Sequence, residues 1–188
     1  AMRHHVGFEK TVLLAEKLDV HTIAAFSGCP GGGPKDETPN WITCPWPDEF
    51  VLMLRYQWED VLIPYWQKAA AFAKEHGVTE IGLEMHPGFN VYNPETLLKL
   101  RAAVGDTIGA NFDPSHLFWQ GIDIPQAIVS LDKAIFHVHA KDTRVLTSNI
   151  EKNGVLDTKY YGDVLHRAWV FGTVGFGHGE TEWRRIID

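Results

Sequence analysis

The chain has 188 residues, 45% of them hydrophobic and 22% charged, with a formal net charge of −7. That length and composition suit one globular domain with a substantial core, and the acidic balance argues against a general nucleic-acid binder. No apolar run approaches the roughly 18 residues that span a bilayer, and the opening AMRHHVGFEK lacks the apolar centre of a signal peptide. A cytoplasmic protein is therefore expected. Cys29 and Cys44 are read as two free thiols, with a disulfide left open.

Phe8 to Leu18 carries helical apolar spacing (Val12, Leu13, Ala15, Leu18), and VHTIAAF, 20–26, reads as a short strand. The Gly/Pro-rich stretch 27–49 is too long for a mere connection, and such loops tend to be functional or disordered. Phe50 to His76 has a long helical pattern, expected to bend at Pro64 and to stop at Gly77. EIGLEM, 80–85, is the next strand. NPETLLKLRAAVG, 93–105, is a helix with Asn93 as N-cap, Pro94 in its first turn and Gly105 after its last. IGANFD, 108–113, is a strand, Ile124 to Leu131 a helix and AIFHVH, 134–139, a fourth strand. A polar stretch leads to GFGHG, and Glu180 to Ile187 is helical. Four alternations of strand and helix predict βα units on a parallel sheet.

Strands buried on both faces normally read as continuous apolar runs, and three of these do not. Gly82, Glu84 and His86 share one face of the second strand; Gly109, Asn111 and Asp113 share one face of the third; His137 and His139 share one face of the fourth. Each has its ionisable group at the C-terminal end, the end that carries the active site in parallel α/β proteins. Glu84, Asp113 and His139 are therefore expected to converge. Two carboxylates and an imidazole suit manganese, magnesium, cobalt or zinc, because a cation offsets the cost of burying the charges. The plainer alternative pairs Glu84 with a lysine, makes Asp113 a helix cap and lets the histidines satisfy backbone groups. His137, one step deeper than His139, is expected to be a core histidine or to support the ligands.

The series FSGCPGG, IGLEMHPG, ANFDPSHLFWQG and FHVHAKDT resembles the sugar-phosphate isomerase/epimerase superfamily of TIM barrels. That superfamily includes xylose isomerases, ketose 3-epimerases, and inosose isomerases and dehydratases. The resemblance implies an α/β (β/α)8 barrel, of which 188 residues supply strands four to seven, since a full barrel runs about 250 residues. The whole of 1–188 is thus expected to be a single partial-barrel domain, without strands one to three and strand eight. The resemblance makes Glu84, Asp113 and His139 the metal ligands, with a second glutamate on strand eight. By the same resemblance Glu84 is expected to be the acid/base as well, and His116 to hydrogen-bond the substrate oxygen being polarised. Arg144 or Lys141 lies near a substrate-contacting arginine of the epimerases. His178 of GFGHG is a candidate for the substrate rim, as is His86 beside Glu84.

The expected function is isomerisation or epimerisation of a sugar or polyol ketone, with a divalent metal, Mn²⁺ first among Mg²⁺, Co²⁺ and Zn²⁺. The metal acidifies a C–H beside a carbonyl, a carboxylate removes the proton, and metal and His116 stabilise the enediolate. Loss of a β-hydroxyl would make the same site a dehydratase. Trp41, Trp46, Phe89, Phe118 and Trp119 are aromatic candidates for stacking on a sugar, with core packing the alternative. A metal-stabilised sugar-binding protein without catalysis is the reading from another class. An apurinic endonuclease fits poorly: the strand-four loop has Ser27, Gly28 and Cys29 where that type has a histidine, and no Asp-x-His occurs between 140 and 179. A small sugar or polyol is the expected partner, with no nucleic acid and no membrane. A homo-oligomer is left open.

Overall fold

The computed structural model describes residues 2–188, with side chains from His4 onward. In chain order, α1 (Met2–Lys17) and β1 (Thr22–Phe26) precede a long loop. Then α2 (Asp48–Arg55) runs through a π-helical segment (Tyr56–Leu62) into α3 (Ile63–Glu75). β2 (Glu80–Glu84), α4 (Pro94–Val104), β3 (Ile108–Phe112), α5 (Pro114–Phe118), α6 (Ile124–Leu131) and β4 (Ile135–Val138) follow. The chain closes with β5 (Asp142–Val145), α7 (Thr147–Asn153), β6 (Trp169–Gly172) and α8 (Glu180–Ile187). Among the described residues no helix is long and apolar enough to cross a membrane. Both cysteines are free thiols, and burial pushes that of Cys29 up, against a hydrogen bond with the Asn40 backbone.

The four expected strands are present, and the chain folds into two compact units. The first takes the residues through Phe112 together with Lys133–His137. Its sheet has the order β1-β2-β3-β4, with β1–β2 and β2–β3 parallel and Phe26, Glu84 and Asn111 in register. Ile81, Leu83, Ile108 and Ala110 are fully buried, and each such Ile or Leu contributes roughly 1.5–3 kcal/mol. On α3 the buried residues Trp66, Ala69, Ala70 and Ala73 follow i, i+3, i+4, i+7 spacing, which puts them on one face. α3 packs on α4, where Gln67 Nε2 donates to the Ala103 carbonyl at 3.0 Å.

Two local features differ from the expected pattern. Pro64, which lacks an N–H for the carbonyl of Asp60, sits in the first turn of α3, directly after a π segment that the sequence did not announce. There the helix is already out of i→i+4 register, and the proline breaks no further bond. The 27–49 loop is tied down by the buried Gln57, whose Nε2 donates to the carbonyls of Pro30 (2.9 Å) and Asn40 (2.7 Å). Trp66 Nε1 donates to the Ser27 carbonyl at 3.0 Å, fixing the exit from β1. Asn93 caps α4 in a reciprocal box with Thr96, as its position before Pro94 predicts.

The second unit comprises Asp113–Asp132 and Val138–Asp188. Within the stretch read as polar, β5 and β6 pair antiparallel, and both were too short for their alternation to stand out. The unit is held by a cluster of Trp119, Ala168 and Trp169, with the two indoles stacked 4.5 Å apart, and with Ile150, Val155 and Phe171 against them. Arg167 is buried between the rings of Tyr161 and Trp169. Burial alone would raise the pKa of Asp157. N–H groups of Ala168 and Lys159, the Lys159 ammonium and the Arg167 charge instead bring it down to about 2.

Candidate metal and acid/base site

In the first unit, Glu84 closes β2 and is buried. Asn111, opposite it on β3, donates from Nδ2 to Glu84 Oε2 at 3.1 Å. The same amide accepts at Oδ1 from His137 Nδ1 at 2.9 Å. An ionised carboxylate only accepts, so the amide must turn its NH₂ to Glu84 and its oxygen to the imidazole, which fixes the His137 proton on Nδ1. The three strands thus carry one relay, Glu84–Asn111–His137. His137 is exposed rather than part of the core, yet it supports the carboxylate through Asn111. His86 is half-buried, donates from Nδ1 to the Pro87 carbonyl (2.6 Å) and meets the stacked rings of Phe26 and Phe89 edge-on.

In the second unit, Asp113 is the N-cap of α5, its Oδ1 accepting from Ser115 N at 2.9 Å. The cap is only half of its role. The carboxylate is fully buried, and Oδ2 lies 2.7 Å from Lys141 Nζ and 3.4 Å from His116 Nε2. Lys141 Nζ also stands 3.3 Å from His116 Nε2 and 4.6 Å above the Phe171 ring, which the imidazole meets edge-on. The His116 Nε2 thus sits between the Asp113 carboxylate oxygen and the Lys141 ammonium. Two atoms of metal-ligand type, a carboxylate oxygen and an imidazole nitrogen, therefore lie against one cation. Oδ2 has no aligned hydrogen-bond donor, its partner being the charge itself. A buried carboxylate oxygen and an imidazole nitrogen beside one positive group are a donor set that fits a divalent metal. His139, directly after β4, and Arg144 are exposed, and the Arg144 guanidinium lies 4.6 Å over Phe176.

Two expected sugar-stacking aromatics are occupied within this unit. Trp119 is buried with its ring on Trp169, and Phe118 is stacked on His178 with ring centroids 3.7 Å apart. His178 Nδ1 donates to Asp142 Oδ1 at 2.7 Å. Asp142 itself carried no expectation, and it organises this end of the unit. Its buried carboxylate accepts from the backbone N–H groups of Thr143, Gly175, Gly177 and His178 and from Trp183 Nε1. Burial would raise its pKa, but the His178 imidazole and these N–H donors outweigh it and hold the carboxyl well below the usual range. Asn111 was likewise missed as a functional residue. The signals were an amide at a buried strand position and an Asp following Lys141, thirty-odd residues before a glycine-rich turn.

The family described as xylose isomerase-like TIM barrel matches residues 3–188. The uncharacterised protein YfiH of Bacillus subtilis (strain 168) is 47% identical over 181 residues, covering 95% of this chain and 58% of YfiH. Among solved structures, the probable 3-DHS dehydratase AsbF involved in petrobactin synthesis from Bacillus anthracis has a TM-score of 0.60 at 15% identity. That match covers 97% of this chain and 58% of AsbF. A xylose isomerase-like TIM barrel protein from Mycobacterium smegmatis, in complex with magnesium, has a TM-score of 0.61 at 15% identity, covering 99% of this chain and 55% of that one. The chain thus spans a little over half the length of each of these proteins, and the two structures speak for the fold.

Proposed function

The chain belongs to the xylose isomerase-like TIM barrel family, and from that premise we propose that the intact protein is a divalent-metal-dependent isomerase or epimerase of a sugar or polyol ketone. Glu84, Asp113 and His139 would hold the cation, manganese first among the candidates, each lying at or just past the C-terminal end of its strand. Bound there, the metal supplies Lewis acidity to a carbonyl and its neighbouring hydroxyl. Glu84 takes the proton from the carbon between them, with its Oε2 steadied by Asn111 and, through Asn111, by His137. The Lys141 ammonium is the natural donor to the oxygen on which charge develops. His116, whose Nε2 lies 3.3 Å from the same ammonium, hydrogen-bonds the substrate oxygen being polarised.

The observation that carries this reading is Asp113, a fully buried carboxylate whose outer oxygen has an ammonium at 2.7 Å and an imidazole nitrogen at 3.4 Å beside it. Such a group is costly unless a positive charge is bound to it. A second reading, loss of a β-hydroxyl after the same proton abstraction, draws support from the name of one structural neighbour, a probable dehydratase.

The test uses the full-length protein with Mn²⁺ and a panel of ketoses and inososes in D₂O. Deuterium entering the carbon beside the carbonyl supports proton abstraction, and an unsaturated product marks the dehydratase. Glu84→Gln should abolish exchange while ligand binding persists, and unchanged exchange in that variant removes Glu84 from the role. Metal and sugar binding with no exchange on any ketone would leave a binding protein.

A further inference from the structure

We propose that Lys141 is a tethered stand-in for the metal: in the metal-free protein its ammonium stands against Asp113 Oδ2 and His116 Nε2, and metal loading displaces it. This rests on the reading of Asp113 as a metal ligand. The geometry is that of a cation site already filled. Nζ is 2.7 Å from Asp113 Oδ2 and 3.3 Å from His116 Nε2, two atoms that lie 3.4 Å from each other. Asp113 Oδ2 is a fully buried carboxylate oxygen, and the ammonium supplies the positive charge that offsets its burial.

The lysine is also placed to leave. Its side chain is 37% exposed while that of Asp113 is 0% exposed, so the pair has one fixed and one solvent-reaching member. Phe171, 4.6 Å beneath Nζ, offers a face on which an ammonium can rest without a directed hydrogen bond. A flexible four-carbon stem allows the head to swing outward at small cost. A metal at Asp113 and the ammonium at 2.7 Å from the same oxygen exclude one another by charge and by space. The device keeps the buried carboxylate neutralised before loading, and it makes metal affinity the outcome of a competition within the chain. After displacement the ammonium is left on the solvent-reaching side of Asp113, free to meet a substrate oxygen.

Mn²⁺ binding to the full-length protein by calorimetry, with Lys141→Met and Lys141→Arg beside the native chain, reads the competition. Lys141→Met should bind Mn²⁺ at least about tenfold more tightly, and its metal-free form should melt at a lower temperature than the native protein, with Mn²⁺ restoring the difference. Lys141→Arg should stay near the native affinity. Peptide mass spectrometry after brief amine labelling should show Lys141 modified faster in the Mn²⁺-loaded native protein than in the metal-free one. Native Mn²⁺ binding with unchanged labelling, or with an equal or weaker affinity in Lys141→Met, overturns the stand-in role and leaves the metal reading intact. A fall in metal-free stability without a gain in affinity reduces Lys141 to a structural ion pair. Absence of Mn²⁺ binding in every variant overturns the stand-in role and the metal reading together.

Discussion

Removing the Asp142 carboxylate should cost more stability than any other single polar change in the second unit. In Asp142→Ala, the Thr143 N–H and Trp183 Nε1 are left without acceptors at buried residues, at roughly 1–3 kcal/mol each. The N–H groups of Gly175 and Gly177 lie on an exposed turn and rehydrate, each losing about 1 kcal/mol or less. The expected loss at pH 7 is therefore about 4 kcal/mol, measured by urea unfolding followed through tryptophan fluorescence. Its pH dependence is a second check. The folded-state pKa of Asp142 lies below the unfolded value, so its contribution is complete above about pH 4 and drains as pH falls towards the folded pKa. The slope is about 1.4 kcal/mol per pH unit, so the gap between native and variant protein should narrow by about 1.2 kcal/mol between pH 5 and pH 3. A loss under about 1.5 kcal/mol at pH 7, or a gap that does not change with pH, would refute this account of the turn.

Three further substitutions test the first unit by the same unfolding measurement. His137→Ala takes the donor from the Oδ1 of Asn111, a residue 1% exposed, and should cost about 1–3 kcal/mol; Mn²⁺ binding should survive it and fall by orders of magnitude in His139→Ala. Asn93→Ala removes the reciprocal cap of α4 and should cost about 1 kcal/mol; no measurable loss would mean the box is not formed in solution. Gly109→Ala would drive a methyl into the carbonyl of Ala134 and the ring of Phe136, an overpacking worth roughly 1–3 kcal/mol, and native stability in that variant would contradict the close approach of β3 and the segment leading into β4.

The strands were legible because their polar residues recur every second position at one end, a pattern that a fully covered sheet does not otherwise tolerate. That same pattern singled out Glu84 and Asp113, and the cap of α4 was spelled out by Asn93 and Pro94. The relay through Asn111 was not legible, since its partners Glu84 and His137 lie 27 and 26 residues away and only the sheet register brings them together. Asp142 escaped for the same reason: its donors are backbone N–H groups some 33–36 residues on, and backbone groups leave no mark in a sequence. His116 was placed by resemblance as a contact for a substrate oxygen. The structure adds that its Nε2 lies between Asp113 and Lys141, 28 residues apart in the chain and joined only by the fold.

The central claim is that one divalent metal is held by groups from three successive strand ends. A crystal of the full-length protein soaked in Mn²⁺, with data collected to locate manganese by its anomalous signal, tests it most directly. The account predicts a single strong peak with oxygen or nitrogen atoms of Glu84, Asp113 and His139 at about 2.0–2.4 Å. A peak elsewhere, or one that touches Asp113 but neither Glu84 nor His139, would contradict it.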